Sequence, residues 1–408
     1  MKSLRELYRI GNGPSSSHTM APRRAASRFV LKHANAKIIR ATLFDSLAAT
    51  GKGHLTDAAL RAAVEPNALE IVWRPDETLG DRENGMRFEA LDESGRVIGS
   101  YEVHSVGGGS LSDDAASEDV YGLGTMRECL EHCRETGTAF WEYVGAREGD
   151  TIWGFFGGVR ETMRSSIEAG TQTEGVLPGG LGVPRKARSL YRKSMALSPA
   201  FRKDGMLAAF AVAVAEENAA GGRIVTAPTC GSSGVLPSVL HYCHRELECS
   251  ETDIHRAIAT AGLVGNIVKQ NGSISGAVVG CQGEIGVACA MAAAAATQLM
   301  GGTPSQIEYA AEMGLEHHLG LTCDPVQGLV QIPCIERNAH AAARAMYCAS
   351  FALLSDGLHR ISFDDVVAVM LETGKALPKQ YRETSAGGLA AVYRKRIAER
   401  CGGAGSSE

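Results

Sequence analysis

Three cysteines in the second half of the chain lie at backbone corners rather than in the middle of helical patterns. Cys281 stands in the stretch Gly-Cys-Gln-Gly, Cys323 in Thr-Cys-Asp-Pro and Cys334 in Ile-Pro-Cys-Ile. Gly and Pro favour loops whose backbone can approach a bound group closely, as a thiolate that ligates a metal requires. A single free cysteine is more often a buried core residue. Three cysteines in such surroundings therefore indicate a shared metal site.

A second group of polar side chains follows a Gly-Pro break near the amino terminus. Ser15, Ser16, Ser17 and Thr19 surround His18 in the stretch Ser-Ser-Ser-His-Thr. Hydroxyl residues in such a position are typical of a helix start, where they cap free N–H groups. The same N–H groups and the helix dipole also favour an anion. Capping and anion binding both remain open interpretations of this cluster.

The composition excludes several classes of protein. A chain of 408 residues is long enough for two domains, and a formal charge of −5 gives no basic surface for nucleic acid. The chain has eleven cysteines, and its first residues lack the apolar core of a signal peptide. We therefore predict a reducing compartment, the cytoplasm, and no disulfides. The most apolar run, residues 285–300, is rich in alanine and too short for a membrane span, so we expect a buried helix and no membrane partner.

The polar groups near the amino terminus must be positioned by a domain of mixed α and β structure. A helix is predicted over residues 21–33 and a strand over residues 38–44. Three further stretches alternate apolar and polar residues, and the last two flank an Asp-Glu-Ser-Gly turn typical of a hairpin: residues 69–73, 86–91 and 97–103. We predict an N-terminal α+β domain with an antiparallel sheet over residues 1–112, with a regulatory role as one option, and a linker over residues 113–124.

The three cysteines and the loops around them must be positioned by helices. After residue 125 the strand pattern nearly vanishes, while helix start signals recur, including hydroxyl caps at Ser250 and Ser362 and a proline, Pro304, at a first helical position. The predicted helices are residues 126–135, 204–217, 253–270, 284–300, 304–319, 335–355 and 363–375. We predict a C-terminal all-α catalytic domain over residues 125–400, followed by a flexible tail over residues 401–408.

Long strings around these residues resemble one family of enzymes. The strings are GPSSSHTMAP, SISGAVVGCQGEIGVACAMAA, GLTCDPVQGLVQIPCIERNA and YRETSAGGLA. They closely resemble the single-chain form of the iron–sulfur-dependent L-serine dehydratases, and the resemblance runs from Leu4 to Arg394. It implies conversion of L-serine to pyruvate and ammonia. We further expect a homodimer, and L-threonine or L-cysteine remain open as alternative substrates.

The resemblance also implies a cofactor. In this family a [4Fe–4S] cluster is held by three cysteines that correspond to Cys281, Cys323 and Cys334. Three thiolates leave one of the four irons open to act as a Lewis acid toward the carboxylate and β-hydroxyl of serine. Cys401, beside the predicted tail, is a candidate for a displaceable fourth ligand.

Two histidines, His18 and His54, stand inside motifs of the family. Histidine is a natural base for the Cα proton because its ordinary pKa lies near neutral pH. The sequence does not decide which of the two is the base and which binds substrate. The residues predicted to bind substrate are Ser15, Ser16, Ser17, Thr19, Asn271, Ser273 and Ser275.

Two other functions remain open from the residues alone. A pyridoxal-phosphate lyase needs a Schiff-base lysine and a phosphate-binding glycine loop, for which Lys269 and residues 231–234 are candidates. An iron–sulfur or zinc redox sensor would use the same cysteines but would not need two histidines in glycine-flanked loops. Visible absorption distinguishes the first alternative, and release of pyruvate from serine excludes the second.

Overall fold

The structure, a computed structural model, contains the two predicted regions, an N-terminal α+β domain and a helix-rich C-terminal domain. It describes residues 1–114 and 119–402. Residues 115–118 of the predicted linker, residues 403–408 of the predicted tail and the side chain of Cys401 lie outside this description. The predicted fold class is confirmed, with two differences in strand pairing that are given below.

The N-terminal domain is built on a four-stranded sheet that is preceded by a short strand and a helix. Its elements in chain order are β1 (Ile10–Asn12), α1 (Ala21–Lys32), β2 (Ile38–Phe44), α2 (Asp45–Ala49), α3 (Thr56–Val64), β3 (Ala68–Arg74), β4 (Gly85–Leu91) and β5 (Val97–His104). A π-helical turn, Ser16–Met20, runs directly into α1. All four strands that the sequence predicted for this domain are present.

The sheet has the strand order β3-β2-β4-β5. β2 pairs with β4, and β4 with β5, in antiparallel fashion, as predicted. β3 pairs with β2 in parallel, which the sequence analysis did not predict. The helices α2 and α3 lie between these two strands in the sequence. They return the chain to the end of the sheet at which β2 begins, as a parallel pair requires.

One face of this sheet packs against α1. Ile39, Ala41 and Leu43 alternate along β2 and are fully buried, as the period of two in a strand requires. Phe29 of α1 lies 5.9 Å from Phe88 of β4, measured between ring centroids. This packing fixes α1 and therefore the direction in which the preceding π-helical turn presents its polar side chains.

The C-terminal domain consists mainly of helices. They are α4 (Met126–Thr136), α5 (Phe140–Glu148), α6 (Thr151–Gln172), α7 (Ala187–Ala196), α8 (Pro199–Ala219), α9 (Val235–Glu246), α10 (Glu251–Asn271), α11 (Gly276–Val279), α12 (Ile285–Leu299), α13 (Pro304–Glu316), α14 (Cys334–Leu354), α15 (Phe363–Ala376) and α16 (Gly388–Gly402). A short strand, β6 (Arg223–Val225), lies between α8 and α9. Each of the predicted helices is present, with ends that differ by up to a few residues.

Helix α12 lies in the centre of the helical domain. Every residue from Ile285 to Thr297 is buried, and the helix packs against α9, α10, α13 and α14. Its many alanines permit this, because small side chains let neighbouring helices approach closely on every side. The contact is close enough that a Cβ added at Gly314 of α13 would lie 2.9 Å from the Cα of Ala290. The predicted buried helix is therefore confirmed.

No single helix in the described part of the chain is long and apolar enough to cross a membrane. The adjoining segments Gly276–Gln282 and Ile285–Leu299 reach that length and composition only together, across a bend of 53°.

The first residues of the chain belong to the core of the helical domain. Leu4, Leu7 and Tyr8 are buried there, and the Tyr8 hydroxyl donates a hydrogen bond to the carbonyl of Ile258 at 2.9 Å. β1 then pairs antiparallel with β6, which introduces strand pairing into the region predicted as all-α. This pairing holds residues 13–19 against the helical domain that carries the three cysteines.

Candidate active site

The three cysteines predicted as metal ligands lie in one buried pocket. Cys281 occupies a short 3₁₀ turn between α11 and α12, Cys323 lies in the loop after α13, and Cys334 is the first residue of α14. They are 3%, 4% and 8% exposed, and all three line the same cavity. The fold thus brings together side chains that are widely separated in sequence.

Backbone contacts hold the cysteine loop in place. The Cys323 N–H donates to the carbonyl of Tyr381 at 2.8 Å, and the Glu383 N–H donates to the carbonyl of Cys323 at 2.7 Å. Gly276 comes so close that a Cβ there would lie 2.9 Å from Glu284 Oε2 and 3.3 Å from Cys323 Sγ. Only glycine therefore lets these side chains pack directly against the backbone at this position.

A half-buried carboxyl group, Glu284, contacts two of the thiols. Its Oε2 accepts hydrogen bonds from the Sγ atoms of Cys281 at 3.7 Å and Cys323 at 3.9 Å, and its Oε1 accepts one from Thr229 Oγ1 at 2.7 Å. Hydrogen bonding with Cys281, followed by burial, raises the pKa of Cys323 well above its ordinary value, and burial raises the pKa of Cys334. Such thiols become ligands when a bound cation draws off their protons.

His54 lines the same pocket as the cysteines. Its Nδ1 lies 3.0 Å from the carbonyl oxygen of Thr50. Because a carbonyl can only accept, Nδ1 carries the proton and Nε2 keeps its lone pair in the neutral ring. Burial lowers the pKa of His54 to about 4, so the ring is neutral at pH 7 and able to take up a proton.

His18 stacks on His54 with 4.4 Å between the ring centroids and 28° between the planes. Its Nε2 lies 3.3 Å from Ser46 Oγ, whose own proton is donated to the carbonyl of Glu383 at 2.8 Å. The Nε2 of His18 therefore donates to Ser46, and its Nδ1, 2.9 Å from Ser17 Oγ, accepts. Burial, and then the neighbouring His54, lower the pKa of His18 well below its ordinary value.

Glu383 completes this side of the pocket. Its Oε1 lies 3.6 Å from His18 Nδ1, and its Oε2 is buried and has no hydrogen-bond partner among the described residues. Burial, together with the nearby Glu284 and Cys281, raises the pKa of Glu383 well above its ordinary value. The ligand atoms of His18, His54 and Glu383 all lie within 4.8 Å of one another.

The four hydroxyl residues predicted to bind substrate are all buried around the two histidines: Ser15, Ser16, Ser17 and Thr19. Ser15 lines the pocket, and its Oγ accepts a hydrogen bond from the His18 N–H at 3.1 Å. The Thr19 hydroxyl donates to the carbonyl of His54 at 2.7 Å. Most of these hydroxyl groups therefore cap the helical turn or form hydrogen bonds with the histidines. Among the described residues, Ser15 is the one of the four that lines the cavity.

The other three predicted substrate residues lie around the start of α11. Asn271 is exposed and donates from Nδ2 to the carbonyl of Gly124 at 2.7 Å. Ser273 Oγ accepts from the N–H of Ser275, which is buried. None of the three is among the described residues that line the cysteine pocket. A substrate role for them stays a prediction.

The residues that suggested pyridoxal phosphate are not brought together. Lys269 on α10 donates from Nζ to the carbonyl of Glu6 at 3.2 Å, and burial lowers its pKa to about 8. Gly231, from the proposed phosphate loop, instead lines the cysteine pocket. No lysine is present among the described residues that line this pocket, so the structure gives no support to a Schiff base there.

Two carboxyl groups of the pocket, Glu284 and Glu383, were not predicted. Both stand inside the strings that carried the family resemblance, one three residues after Cys281 and the other in Arg-Glu-Thr-Ser. An acidic residue in such glycine-rich surroundings was the available signal. Their burial and their contacts depend on long-range packing, which the sequence does not display.

The neutral histidines make a testable contribution to stability. A histidine whose folded pKa is lowered binds fewer protons than it does in the unfolded chain, so its contribution is present above the unfolded pKa and is lost as the pH falls. For His54 the free energy of unfolding is expected to fall by about 2 kcal/mol between about pH 7 and about pH 5. Urea unfolding at both values, in wild type and in His54→Gln, measures this difference. An equal pH dependence in the two proteins would contradict it.

The donor set of the pocket fits an iron–sulfur cluster. Such clusters are bound by cysteine thiolates, and three cysteines converge here beside the side-chain-free surface of Gly276. The buried Glu383 Oε2, which has no hydrogen-bond partner among the described residues, is a further polar group at the cavity. Cys281, Cys323 and Cys334 are therefore the residues that would hold such a group.

Comparisons with known proteins identify relatives of this chain. A family model described as the serine dehydratase beta chain matches residues 3–70, and one described as the serine dehydratase alpha chain matches residues 83–390. The chain is 41% identical to L-serine dehydratase 1 of Escherichia coli (strain K12), over 96% of this chain and 99% of that protein. It is 40% identical to an L-serine dehydratase of Streptomyces coelicolor, over 95% and 98%, and 38% identical to one of Haemophilus influenzae, over 96% and 99%.

Proposed function

This chain belongs to the serine dehydratase family, with the beta-chain and alpha-chain regions joined in one polypeptide, and from that premise we propose that it is an L-serine ammonia-lyase. It converts L-serine to pyruvate and ammonia. The observation that carries the proposal is the single pocket in which three cysteines, a neutral histidine and two carboxyl groups meet.

Cys281, Cys323 and Cys334 are proposed to hold a [4Fe–4S] cluster. When bound, the cluster supplies an iron without a protein thiolate, which acts as a Lewis acid toward the substrate's carboxylate and β-hydroxyl. Glu284 supports two of these cysteines through its contacts with their Sγ atoms. Glycine at position 276 supports this arrangement, because a Cβ there would press against Glu284 Oε2 and Cys323 Sγ and displace them.

His54 is proposed as the base that removes the Cα proton. Of the two candidate histidines it is the one that lines the cysteine pocket, and its Nε2 is unprotonated in the neutral ring. His18 is proposed to position His54 through ring stacking, and Thr19 through its hydroxyl bond to the His54 carbonyl. Between the two histidines that the sequence left open, these contacts favour His54.

We also assign pocket side chains to the carboxylate and the β-hydroxyl of serine. Ser15 is proposed to bind the substrate carboxylate, because its hydroxyl faces the cavity at the start of the π-helical turn. Glu383 is proposed to hold a proton at neutral pH, because its pKa is raised, and to donate it as the β-hydroxyl departs as water. The aminoacrylate that remains hydrolyses to pyruvate and ammonia without further help.

The proposed reaction is tested with anaerobically purified protein. Iron and acid-labile sulfide are measured first, and pyruvate release from L-serine, 2-oxobutanoate from L-threonine and pyruvate with sulfide from L-cysteine are then compared. We expect serine to be the preferred substrate. A cluster-loaded protein that releases no keto acid would favour the redox sensor, and a preference for threonine or cysteine would correct the substrate.

We also propose a cellular compartment and an oligomeric state for the enzyme. The ten described cysteines are all unpaired, which supports a reducing compartment and hence the cytoplasm. Exposed apolar side chains near the end of α14 and in the loop after it, among them Tyr347, Leu354 and Leu358, support a homodimer. We propose no nucleic-acid or membrane partner. Light scattering after size-exclusion chromatography measures the oligomeric state.

A further inference from the structure

A groove with many arginines lies where the N-terminal domain meets the helical domain. One face of α1 forms a wall, and β1, α3, Phe155 of α6 and the residues around β6 form the rest. The groove encloses about 960 Å³, within the range of a small-molecule site. Six arginines line it, and no Asp or Glu is among the described lining residues: Arg5, Arg9, Arg23, Arg24, Arg28 and Arg223. The whole chain, in contrast, carries a formal charge of −5.

The positive charge of the groove is only partly neutralised. Asp114 accepts two hydrogen bonds from Arg24, at 2.7 and 2.8 Å, and one from Arg28 at 2.7 Å, and it lies 4.0 Å from Arg9. One carboxylate therefore serves three guanidinium groups, and Asp113 lies 3.7 Å from Arg28 alone. The structure gives no ion pair for Arg23 or Arg223 among the described residues.

Arg9 is the most deeply placed of these arginines. Its Nε is buried and donates no hydrogen bond within the described part of the chain, while its Nη2 donates to Ser110 Oγ at 3.1 Å. Burial, together with neighbouring Arg24, lowers the pKa of Arg9. A buried N–H without an acceptor is costly, so the described residues leave the Arg9 guanidinium incompletely paired.

The remaining lining is apolar and includes aromatic rings. Arg5 lies over the ring of Phe155 at 4.8 Å, and Tyr8, Leu55 and the alanines of α3 complete the surface. Guanidinium groups match phosphate oxygens in geometry and charge, and aromatic and apolar surface accommodates an organic moiety. We propose that this groove binds a small organic phosphate with at least two negative charges, such as a nucleoside diphosphate.

The groove and the active site share their dividing wall. Thr19 and Leu55 line the groove, and they directly follow the two histidines in sequence. The Thr19 hydroxyl also holds the carbonyl of His54. An anion drawn against α1 would therefore act on the segments that position His18 and His54, and is expected to change the serine concentration that gives half-maximal turnover.

Binding is tested on the cluster-loaded enzyme by anaerobic equilibrium dialysis at low salt. The probes are ADP, inorganic pyrophosphate as its charged part and adenosine as its uncharged part. We expect ADP to bind most tightly, pyrophosphate next and adenosine least, with the affinity for ADP falling as salt screens the arginines. The double variant Arg23→Gln/Arg223→Gln removes two exposed charges that make no structural ion pair and is expected to raise the Kd for ADP by about tenfold or more.

Arg192→Gln is the matched control, because Arg192 is an exposed arginine on α7 that does not line the groove. It is expected to leave the Kd for ADP unchanged. Absence of ADP and pyrophosphate binding at millimolar concentration, or equal affinity in wild type and the double variant, would overturn the proposal. Dissociation of a dimer in the double variant would also overturn the proposal, because the groove would then be a subunit interface.

The effect on serine turnover rests on the proposed function, whereas the dialysis result does not. With ADP present, half-maximal turnover is expected to require a different serine concentration in wild type and in Arg192→Gln, but the same one in the double variant. Bound ADP that leaves the serine dependence of wild type unchanged would overturn the coupling between groove and active site. Protein that binds ADP but never releases pyruvate would instead contradict the lyase assignment.

Discussion

Cys323→Ala is expected to lose most of its bound iron and, with it, nearly all serine turnover. Cys323 is 4% exposed, its loop is fixed by two backbone hydrogen bonds, and its thiol lies beside Glu284 in the cysteine pocket. Alanine offers no ligand atom, and no other described cysteine lines this pocket besides Cys281 and Cys334. Iron and sulfide per chain, with the broad visible absorption of the cluster, measure the loss.

Cys243→Ala is the matched control for this experiment. Cys243 is fully buried on α9 and does not line the pocket, so its replacement also removes a buried thiol but no proposed ligand. We expect this variant, like Cys129→Ala, Cys133→Ala and Cys348→Ala, to retain its iron. Full iron retention in a Cys323→Ala protein that circular dichroism shows to be folded would contradict the assignment of the three ligands.

His54→Ala is expected to lower kcat by roughly 10²–10⁴-fold while leaving the iron content unchanged, since general acid–base catalysis typically contributes that much. The control is His241→Ala, because burial also lowers the pKa of His241 to about 4 but its ring contacts Phe210, outside the pocket. That variant is expected to keep near-normal turnover. Normal turnover in His54→Ala would exclude His54 as the base.

The pH dependence of kcat/KM gives a second readout for His54. A base must be unprotonated to act, so activity is present above its folded pKa and is lost as the pH falls through it. With a pKa of about 4, the acid limb is expected well below the range near 6.5 that an ordinary histidine would give. An acid limb near 6.5 that disappears in His54→Ala would show that the ring is more exposed to water in the working enzyme.

The fold could be predicted where local pattern and tertiary structure agree. The strand β2 and the hairpin of β4 and β5 were predicted because their residues alternate, and α12 because its alanines leave no polar face. Helix α6 was not predicted: it contains Gly154, Gly157 and Gly158, which lower helix propensity, and packing against α8 compensates. The pairing of β1 with β6 joins two three-residue strands far apart in sequence, and no local pattern indicates such a contact.

The candidate site was predictable only in part for the same reason. The three cysteines were found because each stands at a corner that a ligand needs, and they do converge. Asn271 was predicted from a polar loop between apolar helices, but its side chain turns outward to the carbonyl of Gly124. Glu383 enters the pocket through a backbone bridge to Cys323, a contact between residues that are remote in sequence.

The pocket combines residues from the first 70 residues of the chain with residues from the helical domain, so it depends on both parts being held together. His18 and His54 precede residue 70 and the three cysteines follow residue 83, on either side of the gap between the two family matches. β2 and β4, which pair in the sheet, also lie on opposite sides of this boundary. If the polypeptide were cleaved there, neither fragment would carry both the His18–His54 pair and the three pocket cysteines. Turnover would then require reassociation of the fragments, and at low concentration its rate would rise with the product of the two fragment concentrations.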